Sequence, residues 1–226
     1  MFNIFDVGLR PFAPHICKGC GRPGSTLCEN CIFDNIDNKY AKCVVCGALT
    51  GHDNLCQKCR VLMPFDRAFV VGERKEVLEK LVGDFKYESE RDGANAIAKL
   101  LDGVLPALPK STVIIPIPTI APHIRARGFG HTEIVTKRLA RIQSLKCDLN
   151  LLLRTDSSVQ HGLKLAERKK QAKKAFEINT KRPVPSEVLL FDDIYTTGAT
   201  IIAASQILKK AGVKTINIAI VARQSK

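Results

Sequence analysis

An α/β protein with a mostly parallel sheet, preceded by a small cysteine-rich domain, is the fold class that this 226-residue sequence predicts. Three observations carry that reading. Apolar runs of strand length alternate with amphipathic stretches of helix length from residue 68 to residue 222, the pattern of a sheet joined by helical crossovers. Eight of the nine cysteines fall before residue 60, in four CxxC pairs. The hydrophobic content is 45%, which supports an ordinary core, and no apolar run approaches the length of a membrane span.

The cysteine-rich domain takes residues 1–63. Cys17-Lys18-Gly19-Cys20-Gly21 is followed by Cys28-Glu29-Asn30-Cys31, and Cys43-Val44-Val45-Cys46-Gly47 by Cys56-Gln57-Lys58-Cys59. CxxCG…CxxC is therefore stated twice, an internal repeat. Met1 to Val7 carries Asp6 and no apolar stretch of signal-peptide length, so a cytoplasmic, reducing location is expected. In that compartment paired CxxC knuckles supply soft thiolate tetrahedra for zinc rather than disulfides. Two structural zinc ribbons are the expectation. Sequential pairing (Cys17, Cys20, Cys28 and Cys31, then Cys43, Cys46, Cys56 and Cys59) is the simpler arrangement, with interleaving as the alternative. A redox CxxC would need a single motif in a βαβ setting. The domain holds few large apolar residues and should unfold without metal. His15 and His52 lie near the cysteines, but thiols already fill eight positions, so both are read as surface residues.

The second domain, residues 64–226, begins at a junction around Pro64-Phe65-Asp66. Ala68 to Val71 is a short strand. Lys75 to Phe85 spaces Val77, Leu78, Leu81, Val82 and Phe85 as a helix does, and Gly93 to Leu105 is a second helix. Thr112 to Pro118 is a buried-strand run that stops at two prolines. Arg125 and Arg127 follow at once, with Gly128-Phe129-Gly130, so these cations sit at a strand's carboxyl end. A guanidinium donates two parallel hydrogen bonds to a diphosphate, and Lys86 is a third cation assigned to the same group. Thr132 to Leu145 is a helix, Cys147 is read as a buried thiol, and Leu149 to Leu153 is a short strand.

Charge is uneven. The chain carries +13 in all, of which residues 1–59 contribute only +1. Residues 154–182 hold nine Lys/Arg against three Asp/Glu, including Arg168, Lys169, Lys170, Lys173 and Lys174. Such density serves a nucleic-acid contact, a lid or a solvated helix face.

Val188-Leu189-Leu190-Phe191-Asp192-Asp193-Ile194-Tyr195 then Thr196-Thr197-Gly198-Ala199-Thr200 reads as a buried parallel strand, two acids, a small-residue loop and a helix start. The loop can aim amides, hydroxyls and a helix N-terminus at one phosphate. Asp192 and Asp193 would repel a bare phosphate, but they suit the hydroxyls of a ribose 5-phosphate. A ligand-free turn needs neither paired acids nor adjacent threonines. The helix from Ala199 to Ala211 and the strand from Val213 to Ala222 complete the sheet.

These thirteen residues, 188–200, resemble the signature of type I phosphoribosyltransferases, which bind phosphoribosyl pyrophosphate with Mg²⁺. The whole chain resembles the ComF family, the ComFC-like competence proteins. Pro116-Ile117-Pro118 leading to Arg125-Ala126-Arg127-Gly128-Phe129, Gln160 with Leu163 to Phe176, and Ala222-Arg223 carry the rest of the match. The chain departs from that family at Gly130-His131, where Asn-Gln is usual, and at Gln171, where Asn is usual. The resemblance implies a phosphoribosyltransferase-type sheet and a link to uptake of single-stranded DNA. In the signature it implies ribose contacts from Asp192 and Asp193 and a 5-phosphate site at residues 196–200. Transfer of phosphoribosyl to an acceptor, a non-catalytic DNA-binding role, and regulation through a DNA translocase or helicase are the functions it leaves open. Thr196 stands where purine-salvage relatives often carry a third acid, which argues against that type of enzyme.

Overall fold

The computed structural model describes residues 15–37, 40–51, 53–87, 91–155 and 175–224. Its helices are α1 (Glu29–Asp37), α2 (Gln57–Leu62), α3 (Glu76–Tyr87), α4 (Arg91–Val104), α5 (Ala121–Arg127), α6 (His131–Gln143) and α7 (Ala199–Lys210). Its strands are β1 (Arg67–Glu73), β2 (Val113–Pro116), β3 (Lys146–Cys147), β4 (Leu152–Arg154), β5 (Phe176–Ile178), β6 (Glu187–Tyr195) and β7 (Thr215–Arg223). Five strands form one sheet in the order β1-β7-β6-β2-β3, and each neighbouring pair is parallel. The expected α/β fold with a parallel sheet is therefore present.

Long apolar runs at β6 and β7 reflect burial on both sheet faces. On one face Leu189 and Phe191 pack with Leu81 and Phe85 of α3, Ile97 and Leu101 of α4, and Leu139 of α6. On the other, Val188 and Leu190 pack with Ile201, Ala204 and Leu208 of α7. β2 and β6 are neighbours, yet the helices that follow them lie on opposite faces. Their carboxyl ends thus lie at a topological switch point, where open α/β sheets bind ligands.

Two elements differ from expectation. The apolar strand expected over residues 149–153 is β4, and it pairs antiparallel with β5 in a separate hairpin. Cys147, expected to be a buried thiol, is half-buried on the two-residue edge strand β3, where only β2 covers it within the sheet. Burial still pushes its thiol pKa up.

The cysteine-rich segments pack on both faces of this sheet. Cys17, Leu27, Cys31 and Ile32 join the cluster that holds α4, and Lys18 pairs with Asp84 at 2.6 Å. Cys43, Val44, Leu55 and Cys59 join the cluster that holds α7. At the junction, Asp66 Oδ2 accepts the Ile216 amide at 2.8 Å and pairs with Lys209 at 3.0 Å. Asn54 lies along β1, the edge strand. Its amide donates to the Ala68 carbonyl at 2.7 Å, and its Oδ1 accepts the Val70 amide at 2.7 Å. None of the described helices is long and apolar enough to cross a membrane.

Candidate ligand site and metal centres

The four sulfurs of Cys17, Cys20, Cys28 and Cys31 lie within 4.8 Å of one another, as do those of Cys43, Cys46, Cys56 and Cys59. The clusters are sequential, and all nine cysteines are free thiols. The Sγ atoms of Cys20 and Cys28 are 3.8 Å apart, and those of Cys46 and Cys56 are 3.7 Å apart. A tetrahedron with Zn–S bonds of about 2.3 Å has edges of roughly 3.8 Å, so both sets fit zinc. Gly21 and Gly47, with φ of 75° and 79°, close the knuckles by donating their amides to the Cys17 and Cys43 carbonyls. Burial pushes the Cys17 thiol up, but the Cys20, Cys28 and Gly19 amides outweigh it and bring the pKa down to about 6. Burial likewise opposes ionisation of Cys43, whose surrounding amides bring it to about 7. Burial and neighbouring sulfurs push Cys31 up to about 12 and raise Cys59 too. Each cluster thus holds one thiol primed to ionise and one that resists until a cation arrives. His15 belongs to neither cluster and lies 3.1 Å from Asp92; His52 falls outside the described residues.

The acid pair occupies the carboxyl end of β6. Asp192 is half-buried and its Oδ1 accepts the Asp193 amide at 3.0 Å. Asp193 is 8% exposed, and its Oδ2 lies 3.1 Å from His131 Nε2. His131 opens α6, with its Nδ1 3.3 Å from the Thr119 hydroxyl and its ring edge-on to Phe85.

Beyond Tyr195 the chain turns at Thr196 and Thr197, both exposed, and enters α7 through Gly198. Gly198 has φ 76°, in the left-handed region, and a Cβ there would collide with the Tyr195 ring. The Thr197 hydroxyl accepts the Ala199 amide at 3.4 Å. Gly198→Ala is therefore expected to cost about 1–3 kcal/mol through backbone strain plus that collision. Thermal melts check this, and an unchanged Tm would refute it.

Tyr195 ties this loop to the second cysteine cluster. Its hydroxyl is pushed up to about 12 by burial and by the nearby Cys43 thiol. Arg223, at the end of β7, donates Nε to the Val44 carbonyl at 2.8 Å, inside the Cys43–Cys46 knuckle. That link was not expected from sequence, because nothing local marks it.

The cations expected near the acids are placed unequally. Ile117, just past β2, donates its amide to the Phe191 carbonyl at 2.8 Å, so β2's end reaches the same edge as the acids. Arg125 and Arg127 follow on α5, a short helix with proline in its first turn and Gly128 as its left-handed cap; Arg125 is exposed. Lys86 is adjacent to Phe85, whose ring centroid is 6.0 Å from that of Phe129, which places the end of α3 on this side too. The side chains of Arg127 and Lys86 are not among the described groups. Arg168, Lys169, Lys170, Lys173 and Lys174 fall outside the described residues. Sequence reasoning singled out neither His131 as a partner of Asp193 nor Arg154. Arg154 lies over the Phe176 ring at 5.3 Å and donates to the Pro118 carbonyl at 3.4 Å.

No family model matches the chain. It is 27% identical over 219 residues to the DNA utilization protein YhgH of Salmonella typhi, covering 91% of this chain and 95% of that protein. It is 27% identical over 205 residues to Competence protein F of Haemophilus influenzae, covering 85% and 88%. A shorter match, 32% over 93 residues, is to Competence protein ComFC of Streptococcus pneumoniae, covering 41% of this chain and 34% of that protein. With its parallel sheet and two four-cysteine clusters, the chain is a distant relative of the ComF/ComFC/YhgH competence proteins.

Proposed function

We propose that this chain binds phosphoribosyl pyrophosphate at the β6–α7 turn. The observation that carries the reading is the position of that turn. The acid pair, the left-handed Gly198 and the start of α7 stand together at the switch point between β2 and β6. Amides and hydroxyls of residues 196–200 would hold the 5-phosphate, with the positive end of the α7 dipole behind them. Asp192 and Asp193 would accept the ribose hydroxyls. Arg125, Arg127 and Lys86 would meet the diphosphate from the β2 side. Magnesium arrives as part of the ligand, shielding the diphosphate charge. Transfer of phosphoribosyl to an acceptor is the activity such a site would support. Calorimetric titration of zinc-loaded protein with phosphoribosyl pyrophosphate and Mg²⁺ is expected to give a Kd of about 100 μM or below, roughly −5.5 kcal/mol or stronger. No heat at millimolar ligand would overturn the assignment.

A second reading, a single-stranded-DNA-binding accessory role, is favoured by two observations. A net +12 lies beyond residue 59, and relatives are named for DNA utilization and competence. Affinity for a single strand should then fall with salt, with a log–log slope of about −0.7 per phosphate neutralised. An affinity indifferent to salt would remove DNA as the partner of the basic surface and with it the need for a translocase or helicase.

A further inference from the structure

We propose that Arg223 is a positioning residue that couples the second four-cysteine cluster to the 196–200 turn, so that zinc at the one and a sugar phosphate at the other reinforce each other's binding. The inference rests on the ligand reading above and deepens it by naming what regulates that site.

Glu73, Arg223 and Tyr195 are register partners across β1, β7 and β6, at the carboxyl ends of three adjacent parallel strands. Register partners in a parallel sheet present their side chains to the same face. The second cluster is seated on this row. Lys42 Nζ lies 2.9 Å from Glu73 Oε1. Arg223 Nε donates to the Val44 carbonyl at 2.8 Å, and its Nη2 lies 3.8 Å from the point a Cβ at Gly47 would occupy. Val44 stands between two members of the cluster, Cys43 and Cys46, and Gly47 closes their knuckle. Backbone bonds tie the row together: the Arg74 amide donates to the Arg223 carbonyl at 2.7 Å, and the Gln224 amide to the Tyr195 carbonyl at 2.9 Å. Burial and then the Cys43 thiol push the Tyr195 hydroxyl up while Arg223 pulls it down, so these groups stand within electrostatic reach of one another.

The row ends where the turn begins. Tyr195 precedes Thr196, and its ring fills the space beside Gly198, where any Cβ would collide with it. A displaced Tyr195 therefore displaces the residue that opens α7. Zinc acts on the other end. Binding Cys43 and Cys46 together fixes the carbonyl that Arg223 reaches, and four thiolates around one Zn²⁺ set a net −2 beside the guanidinium. A chelated knuckle holds that carbonyl less firmly and offers no such charge. Among the described residues the first cluster packs with α3 and α4 on the other face, whereas Tyr195 and Ile201 share the core of the second. Coupling between two sites is reciprocal, so a ligand in the turn must also raise the zinc affinity of the second cluster.

The test titrates zinc-loaded full-length protein to equilibrium with a chromogenic chelator, with and without saturating ribose 5-phosphate. One zinc equivalent should become about tenfold harder to remove and the other should not change. In Cys31→Ser, which keeps the second cluster, the remaining equivalent should be the responsive one. Arg223→Met keeps the aliphatic stem and removes the donor. It should weaken ribose 5-phosphate binding about fivefold by calorimetry and leave both zinc equivalents indifferent to the ligand. Arg223→Lys, which can still donate to Val44, should restore most of the coupling. A purely architectural arginine gives a different pattern: the methionine variant would lose zinc more easily yet keep the tenfold ligand effect, and that result overturns the proposal. So does a wild-type zinc affinity that ignores the sugar phosphate, or protection shared equally by both equivalents. The wild-type titration decides the matter even where a variant does not fold. Ribose 5-phosphate that gives no heat with the wild type instead sinks the ligand reading beneath, so the two failures are distinguishable.

Discussion

The double variant Asp192→Asn with Asp193→Asn is expected to lower affinity for phosphoribosyl pyrophosphate by about a hundredfold or more while leaving the fold in place. Each acid is assigned one ribose hydroxyl, and a hydrogen bond to a charged acceptor contributes about 1.5–3 kcal/mol. Asparagine keeps the shape of aspartate, so the Asp193 amide can still find an acceptor at position 192. Inorganic phosphate should bind the variant as well as, or better than, it binds the wild type, because two negative charges beside the loop have gone. Calorimetry with both ligands and a thermal melt separate the outcomes. An affinity for phosphoribosyl pyrophosphate equal to wild type would remove the ribose from the site. Loss of the cooperative melt would show that the pair is structural.

The second large effect concerns the metal. Structural zinc contributes an apparent free energy of about 10–16 kcal/mol, comparable with the whole stability of a domain at about 5–15 kcal/mol. Both clusters should therefore be lost on chelation, but their consequences should differ. The second cluster abuts Tyr195, Arg223 and α7, the elements that shape the 196–200 turn. The first packs against α4 on the opposite face. Cys59→Ser is expected to release one equivalent of zinc and weaken phosphoribosyl pyrophosphate binding at least tenfold. Cys31→Ser should release one equivalent with a smaller effect on binding. Zinc content and calorimetry on the two purified variants check this, and equal ligand affinities would refute the asymmetry. Acid should act in the same direction as chelation, since protons compete for thiolates.

Much of this architecture was legible in the residues because burial writes itself as a pattern. β6 and β7 are covered on both faces and read as unbroken apolar runs; α3 and α4 are covered on one face and read with helical spacing. The short elements were not legible. β3 and β5 have two and three residues, too few for any period to register. Pro116 and Pro118 read as strand breakers, while Pro122, which no pattern singled out, stands in the first turn of the helix that carries Arg125 and Arg127. The cysteine spacing announced two tetrahedral sites, but not that each ribbon shares a core with the sheet. That is a matter of which apolar surfaces meet, and no local spacing encodes it. The partnership of His131 and Asp193 joins residues far apart in the chain and exists only once β2 and β6 are neighbours.

Asn54 sets a condition on how this protein can be handled by a cell. One side chain and one amide from the cysteine-rich segment occupy hydrogen-bonding groups of β1 that would otherwise face outward. A chain short of zinc would uncover that strand, and a bare strand edge is a template for a second copy. Metal scarcity would thus be felt as a hazard of self-association that grows with expression level, alongside the loss at the ligand site.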